Sequence, residues 1–224
     1  MDDTQFLARI RAELFTCVIG DVMDTMGLIH QFLPPRIRPV DPDMVIVGRA
    51  MPVLEADCAT PRIGHLDEHR AFGIMFDALD DLKRDEVYVC SGGSDTYAQW
   101  GELMSTRAAK LGAAGAVLNG RHRDTLGIRR LGFPTFSFGP YGQDQGVRGR
   151  VIDYRCTIEF PNGVRVHTGD IVFGDIDGVV IVPHSKEQEI IDAALEKVRG
   201  ENKVRSAIED GMSTRDAFDK YGVM

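Results

Sequence analysis

Between residues 62 and 138 the chain alternates helical and strand-like runs in the order αβαβαβ, and this limits what it can fold into. His69, Phe72, Met75, Phe76 and Leu79 carry a helix over 65–81. Val87-Tyr88-Val89-Cys90 is a short buried strand. Trp100, Met104, Ala108 and Leu111, spaced i, i+4, i+8, i+11, form the buried face of a helix from about Gly101 to Lys110. Gly112-Ala113-Ala114-Gly115 is small enough to pack closely on a sheet, and Ala116-Val117-Leu118 is the next strand. Asn119-Gly120 turns the chain into a loop over Arg121–Asp124, followed by a short helix and a buried strand over Thr135–Phe138. The pattern predicts a parallel or mixed sheet carrying helices, an α/β fold.

The flanks have a different character. Phe6, Ile10 and Leu14 give an amphipathic helix over 4–14, and Thr16–Asp24 reads as a second, with Thr16 placed to cap it. Asp21 and Asp24 read as acids favoured by the positive end of that helix. Pro34, Pro35 and Pro39 confine residues 34–39 to a loop or sheet edge. Residues 44–58 are strand-like, with turn residues at Gly48 and Pro52. After Gly139-Pro140-Tyr141-Gly142 come short strands at 151–160, 163–167, 171–174 and 179–182, with a hairpin signal at Asn162-Gly163. Asp175–Gly178 is an acidic turn, shorter than the roughly 12-residue loop of an EF-hand. The tail is a helix over 185–199, with Ile191, Ala194, Leu195 and Val198 inward, a break or kink at Gly200, and further helix over 201–208 and 213–221. No repeat, low-complexity tract or linker interrupts the 224 residues, so one domain over 1–224 is expected.

Bulk properties exclude several functions. A net charge of −8 argues against nucleic acid as a partner and against an anionic membrane surface. No run of apolar residues approaches membrane-spanning length, and the acidic N-terminus has no secretory signature, so a cytoplasmic protein is expected. Cys17, Cys58, Cys90 and Cys156 are widely spaced with no CxxC, which reads as buried free thiols. There is no GxGxxG and no GK[ST], so a nucleotide fingerprint is absent.

The chemistry concentrates in two short stretches. Gly101-Glu102-Leu103-Met104 opens a helix, and Arg123-Asp124 follows Glu102 after 20 intervening residues. A helix, a returning strand and a loop would bring these together. Magnesium takes one or two carboxylates and keeps several waters, so Glu102 and Asp124 suit it. The amides of Leu103 and Met104, at a helix N-terminus, suit a substrate carboxylate. Arg123 could hold that substrate or stabilise an enolate oxygen. Each acid also has a structural reading: Asp124 as the cap of the next helix, Glu102 as a first-turn acid beside the helix dipole. Ser91–Asp95, a Gly-rich loop after a strand and before a helix, is a second place where an anion could be received. His122 could be a base, although a loop histidine is more often incidental. His65-Leu66-Asp67-Glu68-His69 spells an inverted zinc-protease pattern that a polar helix start explains as well. Glu201 continues the apolar stripe of the tail helix and stands four residues before Arg205. It reads as a surface ion pair with Arg205, or as a carboxylate projecting into a neighbouring subunit.

Gly101-Glu102-Leu103, Gly115–Gly120 and Arg123-Asp124 together resemble the [D/E]-x20-R-D signature of the RraA-like family, which holds both a regulator of ribonuclease E activity and 4-hydroxy-4-methyl-2-oxoglutarate aldolases. Thr16–Gly27, Gly169–Pro183 and the tail from Glu201 to Gly211 resemble other blocks of that family. The resemblance implies a ββα sandwich of the swivelling-domain type with a helical C-terminal tail, assembled as a homotrimer or homohexamer with sites between subunits. It implies a class II pyruvate aldolase that uses magnesium, manganese or another divalent cation and acts on a small 2-oxo acid. Asp124 would bind the metal directly. Glu102, and Glu201 of the adjacent subunit, would hold metal-bound water. Arg123, Gly101 and the amides of Leu103 and Met104 would hold the pyruvoyl group. It leaves a non-catalytic ribonuclease-regulator role as the alternative. Two positions depart from the family pattern: Glu102 stands where Asp is usual, and Arg121-His122 is more basic than the usual pair.

Overall fold

The strand Ile46–Asp57 is the spine of the sheet. The computed structural model describes residues 2–58 and 72–222. In chain order the helices are α1 (Asp3–Glu13), α2 (Thr16–Thr25), α3 (Met75–Asp80), α4 (Glu102–Leu111), α5 (Thr125–Leu131), α6 (Glu187–Glu209) and α7 (Thr214–Tyr221). The strands are β1 (Arg38–Pro39), β2 (Ile46–Asp57), β3 (Glu86–Ser91), β4 (Ala98–Trp100), β5 (Gly115–Leu118), β6 (Arg121–His122), β7 (Thr135–Ser137), β8 (Gly149–Tyr154), β9 (Ile158–Glu159), β10 (Arg165–Val166), β11 (Ile171–Asp175) and β12 (Gly178–Val182).

Eight strands form the main sheet, in the order β1-β7-β5-β3-β2-β11-β12, with β8 also paired to β2. The pairs β2–β3, β3–β5 and β5–β7 are parallel, as the αβαβαβ pattern requires. β2 runs straight through Gly48 and Pro52, correcting their reading as turn residues. The reason lies in its partners. β11 pairs with residues 46–49 and β8 with residues 53–57, so Pro52 falls where one neighbour has ended and the next has not begun. A proline, lacking the N–H, is tolerated at such a gap.

The sheet nearly closes. The segment leading into β1 lies against β12: the Leu33 N–H donates to the Val179 carbonyl at 2.9 Å and the Ile181 N–H to the Gln31 carbonyl at 2.9 Å. Arg38 adds donations to the Ile176 and Asp177 carbonyls at 3.1 and 2.8 Å. Period-2 alternation then separates two cores. Ile171, Phe173, Val180 and Val182 face α1, α2 and α6, where Ile10, Ile19, Ile190 and Ile191 meet them. Val172, Val179 and Ile181 point the other way, into the core that holds Tyr88, Trp100, Ala108 and Phe136. The α/β sandwich with a helical C-terminal tail expected from the sequence is what the chain forms.

Several local expectations are corrected. Gly200 does not break the tail: α6 runs unbroken for 23 residues. Thr16 does not act as the cap of α2. It is the first helical residue, and its N–H and hydroxyl both bond the Asp175 carboxylate, at 2.8 and 2.7 Å. Asp21 lies mid-helix, paired with Lys197 at 2.5 Å rather than with a dipole. The Ser91–Asp95 loop leads into β4, not directly into a helix. Of the four free cysteines only Cys90 is buried, and Cys17 is exposed. The helix expected over 65–81 is seen as Met75–Asp80, and His65, Glu68 and His69 lie outside the described residues.

Candidate active site

The two chemically rich stretches are brought together by a two-stranded parallel sheet that the sequence pattern did not show. β4 pairs with β6, with Ala98 opposite Arg121 and Trp100 opposite His122, and the Arg123 N–H donates to the Trp100 carbonyl at 2.9 Å. That register sets Gly101, the residue before α4, against Asp124. A Cβ on Gly101 would lie 2.7 Å from Asp124 Oδ2, so only glycine leaves room for the carboxylate.

Asp124 does not act as the cap of the next helix. It occupies the N-cap position of α5, yet its side chain makes no capping bond there. Its backbone is left-handed, with φ 59° and ψ 37°, a conformation that costs a non-glycine residue about 1 kcal/mol. The carboxylate is turned away from its own helix to the start of α4, where Oδ2 accepts from the Glu102 N–H at 3.3 Å. The helix-cap explanation therefore fails, and the acid is presented to the first turn of a second helix. The Leu103 and Met104 amides in that turn have no intrahelical acceptor.

Arg123 lies alongside, its Nε 3.7 Å from Asp124 Oδ2, and its Nη1 is ion-paired with Asp144 Oδ1 at 2.7 Å. Gly101, Leu103, Met104, Arg123 and Asp124 line one wall of a cleft of about 250 Å³. Phe72, Phe76, Asp144 and Gln145 line the other, with Trp100 at the base. Such a site offers an anion one fixed guanidinium and a helix N-terminus, and offers a cation the Asp124 carboxylate.

The remaining expected residues divide. The Glu102 side chain leans over Gly127 of α5, so its backbone, not its carboxylate, meets Asp124. Glu201 belongs to α6, the helix on the opposite face of the sheet. Its nearest ionic partner is Lys197 at 3.8 Å, while Arg205 donates to Asn202, so the expected Glu201–Arg205 pair does not form. Within one chain Glu201 is not part of the cleft. His122 is not an incidental loop histidine. It is buried, with Nδ1 2.7 Å from the Ser137 hydroxyl and Nε2 3.0 Å from that of Thr125, tying β6 to β7 and α5. Burial pushes its pKa down to about 4, so it is neutral. Asp144 and Gln145 were missed by the sequence reading because nothing in their spacing ties them to Arg123.

No group of three or more His, Cys, Asp or Glu side chains converges among the described residues. A sparse carboxylate set of this kind fits magnesium, which takes one or two protein oxygens and completes its shell with water and substrate. It does not resemble the closed ligand cages of structural zinc.

The fold is an α/β sheet that sets an Arg-Asp pair against the N-terminus of a helix. The chain belongs to the RraA-like family, whose Aldolase/RraA model matches residues 16–181. Among relatives, a provisionally named 4-hydroxy-4-methyl-2-oxoglutarate aldolase of Halalkalibacterium halodurans is 26% identical over 96% of this chain and 94% of its own. Protein DlpA of Legionella pneumophila is 26% identical over 91% of this chain, but the chain spans only 32% of that protein's length. Among solved structures, a protein described with novel cellulases from microbes of the gut ecosystem superposes with a TM-score of 0.81 at 29% identity, covering 91% of this chain and 88% of that one. Streptomyces coelicolor RraAS2, described as an unusual member of the RNase ES inhibitor RraA family, superposes with a TM-score of 0.78 at 22% identity, covering 92% and 100%.

Proposed function

We propose that the protein is a divalent-metal-dependent lyase that cleaves a 4-hydroxy-2-oxo acid to pyruvate and a carbonyl product. The observation that carries this reading is the Asp124 carboxylate, held in a left-handed turn, off its own helix, between Arg123 and the N-terminus of α4. A protein that only binds a partner has no need for an acid held this way. The relative named as an aldolase supports the same reaction class.

The substrate's carboxylate would rest on the Leu103 and Met104 amides, its 2-keto oxygen facing Asp124 and Arg123. Asp124 would hold a divalent cation, with Glu102 and Glu201 of an adjacent copy holding water near it, and the cation would supply the charge that polarises that keto oxygen. Glu102 would have to rotate off Gly127 to take this role. Breaking C3–C4 sends the bonding pair into the pyruvate enolate, and the guanidinium of Arg123 is placed to stabilise the enolate oxygen. Asp144 keeps that guanidinium fixed. Phe72, Phe76, Trp100 and Met104 limit water at the reacting atoms, which strengthens each charge interaction. The C4-hydroxyl proton leaves, and C3 regains one, through water ordered by Glu102 or by Glu201 of the adjacent copy. Oxaloacetate decarboxylation passes through the same enolate and is expected as a side activity.

The test is pyruvate release from a panel of 4-hydroxy-2-oxo acids and oxaloacetate, with magnesium and with EDTA. Release that depends on the metal supports the proposal, and no release from any of them rejects it in favour of a regulator-type binding protein. Mixing inactive Asp124→Ala with inactive Glu201→Ala chains tests the shared site. Regained activity is expected, because mixed assemblies contain some intact pairs.

A further inference from the structure

Behind the cleft lies a buried polar chamber that the proposed chemistry does not use. Glu55, on β2, is 2% exposed and directs its carboxyl inward. Gln145, which lines the cleft, donates its side-chain N–H to Glu55 Oε1 at 2.7 Å. Tyr97, fully buried, lies beside the same carboxyl: a Cβ on Gly149 would meet both the Tyr97 hydroxyl and Glu55 Oε1.

The Tyr97 hydroxyl donates to Asp57 Oδ1 at 2.9 Å, an oxygen that also accepts from the Ser94 N–H at 2.9 Å. That proton is directed to Asp57, and the hydrogen bond that Glu55 makes through its side chain is the one it accepts from Gln145. Among the described residues, the groups that face Glu55 are Asp57 on its own strand, Tyr97 and Gln99 around the start of β4, Gln145 before β8, and Tyr88 and Cys90 on β3. None of these is a cation. Burial, opposed by Tyr97 and reinforced by repulsion from Asp57, pushes the Glu55 carboxyl up to about 8.

We propose that Glu55 is a positioning residue of the cleft: as a neutral acid it accepts from Gln145, fixing the Asp144–Gln145 corner that holds Arg123. Loss of its proton leaves a buried carboxylate with no cation beside it among the described residues and with the Asp57 carboxylate close by, and the corner loosens. The role of the corner in catalysis rests on the lyase reading; the protonation of Glu55 and its control of the cleft do not.

Trp100, the single tryptophan, lines the cleft and reports on it independently of activity. The experiment follows Trp100 fluorescence against pH, together with kcat and KM for metal-dependent pyruvate release, in wild type, Glu55→Gln and Glu55→Ala. Glutamine keeps the size of the neutral acid and the acceptor for Gln145, without a titrating proton. In the wild type the emission is expected to shift with a midpoint near pH 8, and KM to rise several-fold across the same range. Glu55→Gln should lose both transitions while keeping the low-pH KM, and Glu55→Ala should show the high-pH behaviour at every pH. A transition that survives unchanged in Glu55→Gln, or a Glu55→Gln protein as impaired as Glu55→Ala at low pH, overturns the proposal. If the wild type releases no pyruvate, the lyase reading fails and the fluorescence arm still decides the role of Glu55.

Discussion

Two aspartates at turns, Asp175 and Asp124, show how differently one residue type can be used. Asp175 is buried and saturated: it accepts from the Thr16 N–H at 2.8 Å, the Thr16 hydroxyl at 2.7 Å and the Asp177 N–H at 2.9 Å. It stitches α2 to the β11–β12 hairpin in relaxed backbone geometry. Asp124 is half-exposed, makes one long bond of 3.3 Å and sits in a left-handed turn. An acid whose hydrogen bonds are all made serves the fold. An acid held in strain with oxygen lone pairs left open is available to a ligand.

The sharpest way to break this contrast is to delete both side chains. Asp124→Ala should lower kcat/KM for pyruvate release by about 100-fold or more, the scale of losing a group that holds transition-state charge. Its unfolding free energy should stay within about 1 kcal/mol of wild type. Asp175→Ala should do the reverse, losing about 3 kcal/mol of stability because three buried donors are stranded, with activity per folded molecule retained. Denaturant titration beside steady-state kinetics checks both, and equal stability losses would erase the distinction.

Arg123→Lys sharpens the comparison on a smaller scale. Lysine keeps the charge but cannot hold Asp144 while presenting a planar fork to the substrate, so kcat/KM should fall about 10-fold with stability little changed.

The last test concerns stability alone, at His122, one residue before Arg123. Its folded pKa is depressed to about 4 from an ordinary 6.5. The unfolded chain therefore binds the proton more readily, so the stabilisation is complete above pH 6.5 and is lost as pH falls through about 4. Over that window the wild type should lose about 2 kcal/mol more stability than His122→Gln, as measured by melts at stepped pH. A matching loss in both proteins would place the acid sensitivity elsewhere.

Much of the frame was legible in the sequence, because periodicity and turn chemistry are local signals. The αβαβαβ run, the Asn162-Gly163 hairpin and the stripe of α6 were all read correctly. Errors arose where tertiary packing overrode a local preference. Pro52 is tolerated because two partner strands happen to change over beside it, and Gly200 is carried by a long helix already packed on α2. In the candidate site, the juxtaposition of Gly101, Arg123 and Asp124 was legible because a short motif spacing coincides with β4–β6 pairing. Asp144, Gln145 and Glu55 reach the cleft only through contacts distant in sequence, the Glu55–Gln145 bond spanning 90 residues, and no local pattern encodes them. Glu102 shows the limit from the other side: the sequence spacing brings its backbone to Asp124, but nothing local signals that its side chain turns to Gly127.

The central claim is that Asp124 serves chemistry and not the fold. The most direct measurement is pyruvate release by wild type and Asp124→Ala over a magnesium titration, on samples with matched melting curves. The expected result is wild-type activity that saturates with magnesium and is abolished by EDTA, and an Asp124→Ala protein that stays inactive at every magnesium concentration while remaining folded. Wild-type activity indifferent to EDTA, or an Asp124→Ala protein that releases pyruvate at the wild-type rate, would contradict it.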